Sequence, residues 1–171
     1  MRPFVIVISG LPATGKSTLA KRIGTDLKIP VISRDEVRSA NFDGTPAAMR
    51  SLTRTVHAAL GSVLADGGSA VLDGNFNTAE HSDGLADLVR AHGAVAIEVC
   101  LWGDVDVLRK RFAERAAPPL TEGLRPYFEK VVHRERRPVL SDAVRTMEFD
   151  TTDFGDLNYE EILATIRSPV P

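Results

Sequence analysis

The sequence has a single cysteine, Cys100, among its 171 residues. One thiol cannot close a disulfide within the chain, and such scarcity is typical of proteins in a reducing compartment. Long apolar runs are also missing, since every unbroken run is far shorter than the about 20 residues that a membrane-spanning helix needs. Only Arg2 precedes the first apolar run as a charged residue, and that run ends in glycine-rich sequence rather than in a cleavage site. We therefore expect no signal peptide, no membrane contact and a cytoplasmic location.

An excess of positive charge is absent as well, because the formal net charge is -2. Dedicated nucleic-acid binders are often basic overall, and this chain is not. The charge is nevertheless uneven. Residues 106–137 hold nine Lys/Arg against five Asp/Glu, a net of +4, whereas residues 138–171 hold two against seven, a net of -5. A local basic segment beside a cleft can attract a polyanionic ligand without making the whole chain basic. No His/Cys group has metal-ligand spacing, and nothing in the sequence indicates an oligomeric state.

Short apolar runs alternate with longer helical patterns along the chain. Candidate strands cover Phe4–Ser9, Pro30–Ser33, Ser69–Asp73, Ala94–Leu101 and Val144–Asp150. Candidate helices cover Lys16–Leu27, Pro46–Asp66, Thr78–His92, Asp104–Ala117, Thr121–Arg137 and Asn158–Arg167. The strands are mostly continuous apolar runs, which suits parallel strands covered on both faces. The alternation predicts one α/β domain over residues 1–171.

The segment between the first strand and the first helix carries the most specific motif. Residues 10–17, GLPATGKS, match G-x-x-x-x-G-K-[ST] at every fixed position. The two glycines permit a loop whose backbone N–H groups surround phosphate oxygens, and the helix adds its N-terminal N–H groups. Within the motif, Lys16 reaches the β- and γ-phosphates, and the Ser17 hydroxyl ligates Mg²⁺. We assign nucleoside triphosphate binding to Gly10, Ala13, Thr14, Gly15, Lys16, Ser17 and Thr18.

Other uses of a bound triphosphate lack their signatures. The sequence has no N-K-x-D motif of the kind that reads guanine, and no LSGGQ-type motif of a transporter ATPase. It is also short for a mechanical ATPase with its own sensor elements. The interpretation that remains is a small phosphotransferase with ATP as the phosphate donor.

Asp35 directly follows the second candidate strand, in the sequence SRDEVR. Ligands of open parallel sheets gather at the C-terminal ends of the strands. Phosphoryl transfer to an alcohol needs a carboxylate that orients the hydroxyl and accepts its proton, and Asp35 is our candidate. An aspartate here is also a common helix N-cap. Arg34 and Arg38 flank Asp35 and either hold an anionic part of the acceptor or are ordinary solvated arginines.

Asp73 ends the third candidate strand, in the sequence SAVLDGNFN. An apolar strand that ends in aspartate is typical of a Walker B strand, so we assign Asp73 to Mg²⁺. Asn75 is a candidate acceptor contact, with an ordinary turn residue as the alternative. On the 46–66 helix, Arg54 lies on a stripe apart from the apolar face, where it either lines an acceptor pocket or faces solvent.

Arg111 and Arg115 lie four residues apart on a candidate helix and therefore share one helix face. Pro118 and Pro119 follow, and a proline pair breaks a helix. The arrangement suits a lid over residues 104–137 that closes on ATP, with both arginines stabilising charge on the transferring phosphoryl group. The alternative is a solvated basic helix surface.

The motifs GLPATGKST, SRDEVR, LDGNFN and LRKRFAER, in this order, resemble the P-loop kinases of the polynucleotide kinase and zeta-toxin-like group, over residues 10–115. The resemblance implies a three-layer P-loop NTPase fold, with five parallel strands in the order 2-3-1-4-5, helices on both faces and an arginine-bearing lid. It also implies ATP and Mg²⁺, with Asp35 as the general base. Arg111 and Arg115 fall on the lid arginines, and Arg38 falls on an acceptor-phosphate contact of the polynucleotide members.

The acceptor stays open between two classes. Polynucleotide kinases often carry a fused phosphatase or ligase domain, which we do not expect here, and no motif follows Arg115. We therefore favour a small-molecule hydroxyl acceptor, such as a sugar, a nucleoside or an antibiotic-like alcohol, over the 5′-hydroxyl end of RNA or DNA. A third alternative is a regulatory module that binds ATP without transferring phosphate, although such a module has no need of a carboxylate at Asp35.

Overall fold

The computed structural model describes residues 2–39, 45–74, 79–115, 128–129, 131–132, 140 and 145–168. Its strands are β1 (Phe4–Gly10), β2 (Val31–Ser33), β3 (Ala70–Asp73), β4 (Val95–Trp102) and β5 (Arg145–Asp150). Its helices are α1 (Lys16–Leu27), α2 (Arg34–Ser39), α3 (Pro46–Ala65), α4 (Ala79–Ala91), α5 (Val105–Arg115) and α6 (Tyr159–Arg167), with a 3₁₀ turn at Phe154–Asp156. The candidate helix over 121–137 lies mostly outside the described residues, and the proline pair at 118–119 lies wholly outside them. Among the described helices, none combines the length and apolar character that a membrane span requires.

All five strands form one sheet in the order β2-β3-β1-β4-β5. Every neighbouring pair is parallel. The order that the family resemblance implied is therefore confirmed. The register pairs Ile8 with Asp73 and Gly10 with Leu101. The carboxyl ends of β1, β2 and β3 consequently meet at one edge of the sheet.

Helices cover both faces of the sheet, which gives the three layers that the resemblance implied. On one face, α3 and α4 pack their apolar residues against the inward side chains of β1, β3 and β4. On the other face, α1 and α6 do the same, with Ile23 and Ile162 fully buried. The continuous apolar character of the central strands follows from this burial on both sides.

Helices α1 and α3 begin at the predicted residues, whereas α4, α5 and α6 each begin one residue later than predicted. For α5 and α6 the reason is that the polar residue before the helix caps it instead of joining it. The Asp104 side chain accepts hydrogen bonds from the N–H groups of Asp106 and Val107. The Asn158 side chain does the same for Glu161. Such caps satisfy N–H groups that have no partner within the helix.

Helix α2 is the one described helix that the sequence analysis did not predict. It has only six residues and follows β2 without a loop. The Ser33 hydroxyl, rather than Asp35, receives the N–H of Glu36 at 3.4 Å. Asp35 therefore stands in the first turn of α2 and is not its capping residue.

Candidate active site

The loop between β1 and α1 has the backbone that the glycine motif predicts. Gly10, Ala13 and Gly15 all have positive φ, at 130°, 66° and 87°. At Gly10 a Cβ would lie 1.9 Å from the carbonyl oxygen of Leu101, so only glycine fits beside β4. Gly15 is also the residue before α1, and it has no side chain that could cap the helix. The N-terminal N–H groups of α1 therefore point into the loop, where an anion can receive them.

Side chains within the loop also contact its backbone. The Lys16 ammonium donates a hydrogen bond of 2.6 Å to the carbonyl oxygen of Leu11, and the Thr14 hydroxyl donates to the same oxygen at 2.8 Å. Thr14 is fully buried, whereas Thr18, in the first turn of α1, is exposed. Thr14 thus stabilises the loop from the protein interior, whereas the side chain of Thr18 is open to solvent.

Asp73 is the point where the predicted donor and acceptor sides of the site meet. It ends β3, is 3% exposed, and accepts hydrogen bonds from the hydroxyl groups of Ser17 and, at 3.3 Å, of Ser33. Burial raises the pKa of Asp73, and the nearby charge of Asp35 raises it further. The bond from Ser17, the charge of Lys16 and the bond from Ser33 oppose this rise. Three of the predicted site residues, Lys16, Ser17 and Asp35, are therefore close enough to influence this carboxylate.

Two oxygen ligands for a magnesium ion are adjacent in this arrangement. Mg²⁺ in nucleotide sites is usually held by one or two protein oxygens together with phosphates and water. The Ser17 hydroxyl and the Asp73 carboxylate, which hydrogen-bond to each other, fit that requirement. In the described part of the chain, no group of three or more His, Cys, Asp or Glu side chains could hold a metal by itself. The donor set thus suits an ion that arrives with a nucleotide.

The three arginines predicted on the acceptor side have different environments. Arg34 is only 6% exposed, so the alternative of a solvated arginine is wrong at this position. It begins α2 directly after Ser33, the buried end of β2. Arg38, in the last turn of α2, is partly exposed, and Arg54 is exposed on α3. Asn75 lies outside the described residues.

Arg111, predicted to belong to a lid, contacts the chain that follows β5. Its guanidinium donates to the carbonyl oxygens of Thr151 and Thr152, at 2.5 and 2.7 Å, and lies 4.0 Å from the centre of the Phe154 ring. Arg111 therefore fastens α5 to the loop after β5. Arg115 ends α5, and its side chain lies outside the described part of the structure.

Phe154 is a candidate site residue that the sequence analysis missed. It is 47% exposed, unusual for a large apolar side chain, and its ring edge lies 2.9 Å from where a Cβ of Gly15 would be. An aromatic residue within the polar stretch TTDFGD was the available signal. The structure adds that this ring lies beside the phosphate loop.

Comparison with known proteins agrees with this geometry. The family model described as an AAA domain (AAA_33) matches residues 5–144. A shikimate kinase from Bradyrhizobium diazoefficiens is 31% identical over 174 residues, which cover 95% of this chain and 79% of that protein.

Two solved structures share the fold. A putative kinase from Chloroflexus aurantiacus superposes with a TM-score of 0.80 at 24% identity, covering 96% of this chain and 94% of the other. The APS kinase CysC of Mycobacterium tuberculosis, in complex with AMPPNP and APS, superposes with a TM-score of 0.67 at 17% identity, covering 98% and 99%.

Proposed function

We propose that this chain, which belongs to the AAA domain family (AAA_33) and is a P-loop ATP-binding phosphotransferase, transfers the γ-phosphate of ATP to a hydroxyl group of a small molecule. The observation that carries the proposal is the meeting of Lys16 and Ser17 from the phosphate loop with Asp35 from the acceptor side, around Asp73. The finer likeness to the polynucleotide kinase and zeta-toxin-like group stays a prediction.

The donor side binds ATP through the phosphate loop. Backbone N–H groups of the loop and of the first turn of α1 surround the β- and γ-phosphates, and Lys16 neutralises part of their charge. Ser17 and Asp73 would hold Mg²⁺, which would supply positive charge that offsets the charge of the phosphates when it is bound. The exposed ring of Phe154 beside Gly15 offers the nucleobase a face on which to stack.

Asp35 acts as the general base on the acceptor side. It is exposed in the first turn of α2, at the carboxyl end of β2, and close enough to Asp73 to affect its pKa. The Asp35 carboxylate accepts the proton of the acceptor hydroxyl while that oxygen bonds to the γ-phosphorus. The bond from this phosphorus to the bridging oxygen breaks, and ADP leaves.

Arginines are proposed to contact both the ATP and the acceptor. Arg111 and Arg115 are proposed to close over ATP as part of a lid at residues 104–137. The guanidinium of Arg111 lies over the ring of Phe154. Arg34 and Arg38 flank the base, and a buried guanidinium next to the acceptor side favours an acceptor that carries an anionic group. Asn75 and Arg54 remain proposed acceptor contacts.

A 5′-hydroxyl polynucleotide kinase is the second candidate, and the net charge of +4 over residues 106–137 favours it. Both candidates use the same donor site and the same base, so only the acceptor distinguishes them. Binding of a polymer should weaken steeply as salt rises, whereas binding of a small acceptor should not.

A transfer screen with γ-labelled ATP tests the proposal. Acceptors would include shikimate, gluconate, adenosine 5′-phosphosulfate, nucleosides, aminoglycoside-like alcohols and 5′-hydroxyl oligonucleotides, each with the wild-type protein and Lys16→Ala. We expect label on at least one small alcohol, and loss of that label in Lys16→Ala. Label on oligonucleotides alone would establish the second candidate. Binding of ATP without transfer to any acceptor would favour a non-catalytic module.

A further inference from the structure

Glu98 is a buried carboxylate in the middle of the sheet that the proposed reaction does not use. It lies on β4, is 0% exposed, and is in register with Val7 of β1. Apolar residues adjoin it on the same face of the sheet, since Val7 and Ala96 pack there against α3 and α4. A carboxylate in such surroundings is costly unless several donors satisfy it.

Two of its hydrogen-bond donors come from parts of the chain that are far apart in sequence. The Ser9 hydroxyl donates at 2.6 Å, and the backbone N–H of Leu140 donates at 3.0 Å to the other carboxylate oxygen. Ser9 immediately precedes Gly10, the first residue of the phosphate loop. Leu140 is buried in the core on the α3 and α4 side and follows the basic segment 106–137. One carboxylate thus links the strand that carries the phosphate loop to the chain just beyond the basic segment.

The same strand, β4, also contacts the loop directly. The carbonyl oxygen of Leu101 accepts the N–H of Leu11 at 3.3 Å and is the atom that leaves no room for a Cβ at Gly10. The position of β1 relative to β4 therefore determines where the loop begins. A bond between Ser9 and Glu98 supports that relative position just before the loop, in addition to the strand pairing that continues to Gly10 and Leu101.

We propose that Glu98 is a positioning residue that sets the phosphate loop and the chain at Leu140 in one arrangement, so that the affinity for ATP depends on this buried carboxylate. The inference rests on the ATP site of the proposed function and not on the acceptor. Glu98 contacts no reacting atom of the proposed transfer reaction. It acts through Ser9 on one side and through Leu140 on the other.

Three variants separate this role from simple packing. Glu98→Gln keeps both contacts, because its amide oxygen can accept from Leu140 while its NH₂ group donates to the Ser9 oxygen, which accepts as well as donates. Glu98→Ala removes both contacts. Ser9→Ala removes only the link to the phosphate loop. A control is Tyr159→Phe, which loses a hydrogen bond of 2.6 Å to the carboxylate of Asp26 on the opposite face of the sheet.

The measurement is the Kd of AMPPNP with Mg²⁺, at a temperature well below the melting temperature of every variant. We expect Ser9→Ala and Glu98→Ala to raise this Kd fivefold or more, a typical size for coupling between sites. The Ser9→Ala/Glu98→Ala double variant should bind no more weakly than Glu98→Ala alone, since both changes break one link. Glu98→Gln should stay within about threefold of wild type. Tyr159→Phe should melt at a lower temperature and bind as wild type does.

Several outcomes would overturn the inference. One is a Ser9→Ala protein whose Kd stays within about twofold of wild type, and another is a Glu98→Gln protein that binds as weakly as Ser9→Ala. Both variants are mild, so they decide the matter even when Glu98→Ala fails to fold. A wild-type protein that does not bind AMPPNP would overturn the proposed function, and this inference with it. Normal wild-type binding with unchanged variants would overturn the inference alone.

Discussion

Replacing Asp35 with asparagine tests the proposed base while leaving most of the molecule unchanged. The side chain keeps its size, but it loses its negative charge and its ability to accept a proton. Asp35 is exposed in the first turn of α2, and Ser33 rather than Asp35 receives the N–H of Glu36. The free energy of unfolding should therefore change by no more than about 0.5 kcal/mol.

The expected loss of activity is much larger than the loss of stability. A positioned general base contributes about 10²–10⁴ to the rate, which corresponds to about 2.7–5.5 kcal/mol of activation free energy. The kcat for transfer should fall by this factor, while the Kd of AMPPNP should stay within about threefold, because Asp35 lies on the acceptor side. Removal of the Asp35 charge should also lower the pKa of Asp73, which that charge now raises.

Glu36→Gln is the matched control for this experiment. Glu36 is the next residue of α2, and it forms an exposed ion pair of 3.0 Å with Lys21. Exposed pairs contribute about 0–1 kcal/mol, so this variant should transfer phosphate at nearly the wild-type rate. Transfer by Asp35→Asn within about tenfold of wild type would show that the base is another group or that none is needed. An equal loss in Glu36→Gln would show that α2 is merely sensitive to charge.

Three further predictions concern the fold, the binding of ATP and the pKa of Asp73. Gly10→Ala places a Cβ 1.9 Å from the carbonyl oxygen of Leu101 and should lower the free energy of unfolding by more than about 3 kcal/mol in denaturant experiments. Gly67→Ala is the control, because φ is 74° there but nothing lies within 4 Å of the added Cβ; it should cost only about 1–2 kcal/mol. Phe154→Ala should raise the KM for ATP about tenfold at unchanged kcat. An unchanged KM would show that the Phe154 ring does not stack on the nucleobase. Burial raises the pKa of Asp73, so the folded state favours its protonated form. Without Mg²⁺, stability should therefore fall as pH rises from the usual aspartate pKa through the raised one, and Asp73→Asn should abolish that slope in melting experiments.

The phosphate loop and most of the secondary structure could be predicted from the sequence because their causes are local. A loop that needs positive φ at Gly10 and Gly15, between an apolar strand and a helix, is specified by neighbouring residues. The described strands and helices begin and end within about two residues of the predicted limits. Helix α2 was missed because six residues are too few to show a helical period. The strand order came from the resemblance to a family, since apolar runs alone do not say which strands pair.

Only the tertiary structure decided which side chains meet. Parallel pairing of β1, β2 and β3 brings Asp73 beside Ser17 and Ser33, although 56 and 40 residues separate them in sequence. The burial of Arg34 and the link from Glu98 to Ser9 depend on the same packing. Backbone preferences act over a few residues, whereas these contacts depend on the register of strands and on the layers that close over them. The sequence by itself therefore determined the chemistry of the loop, and the fold determined which carboxylates and arginines share its surroundings.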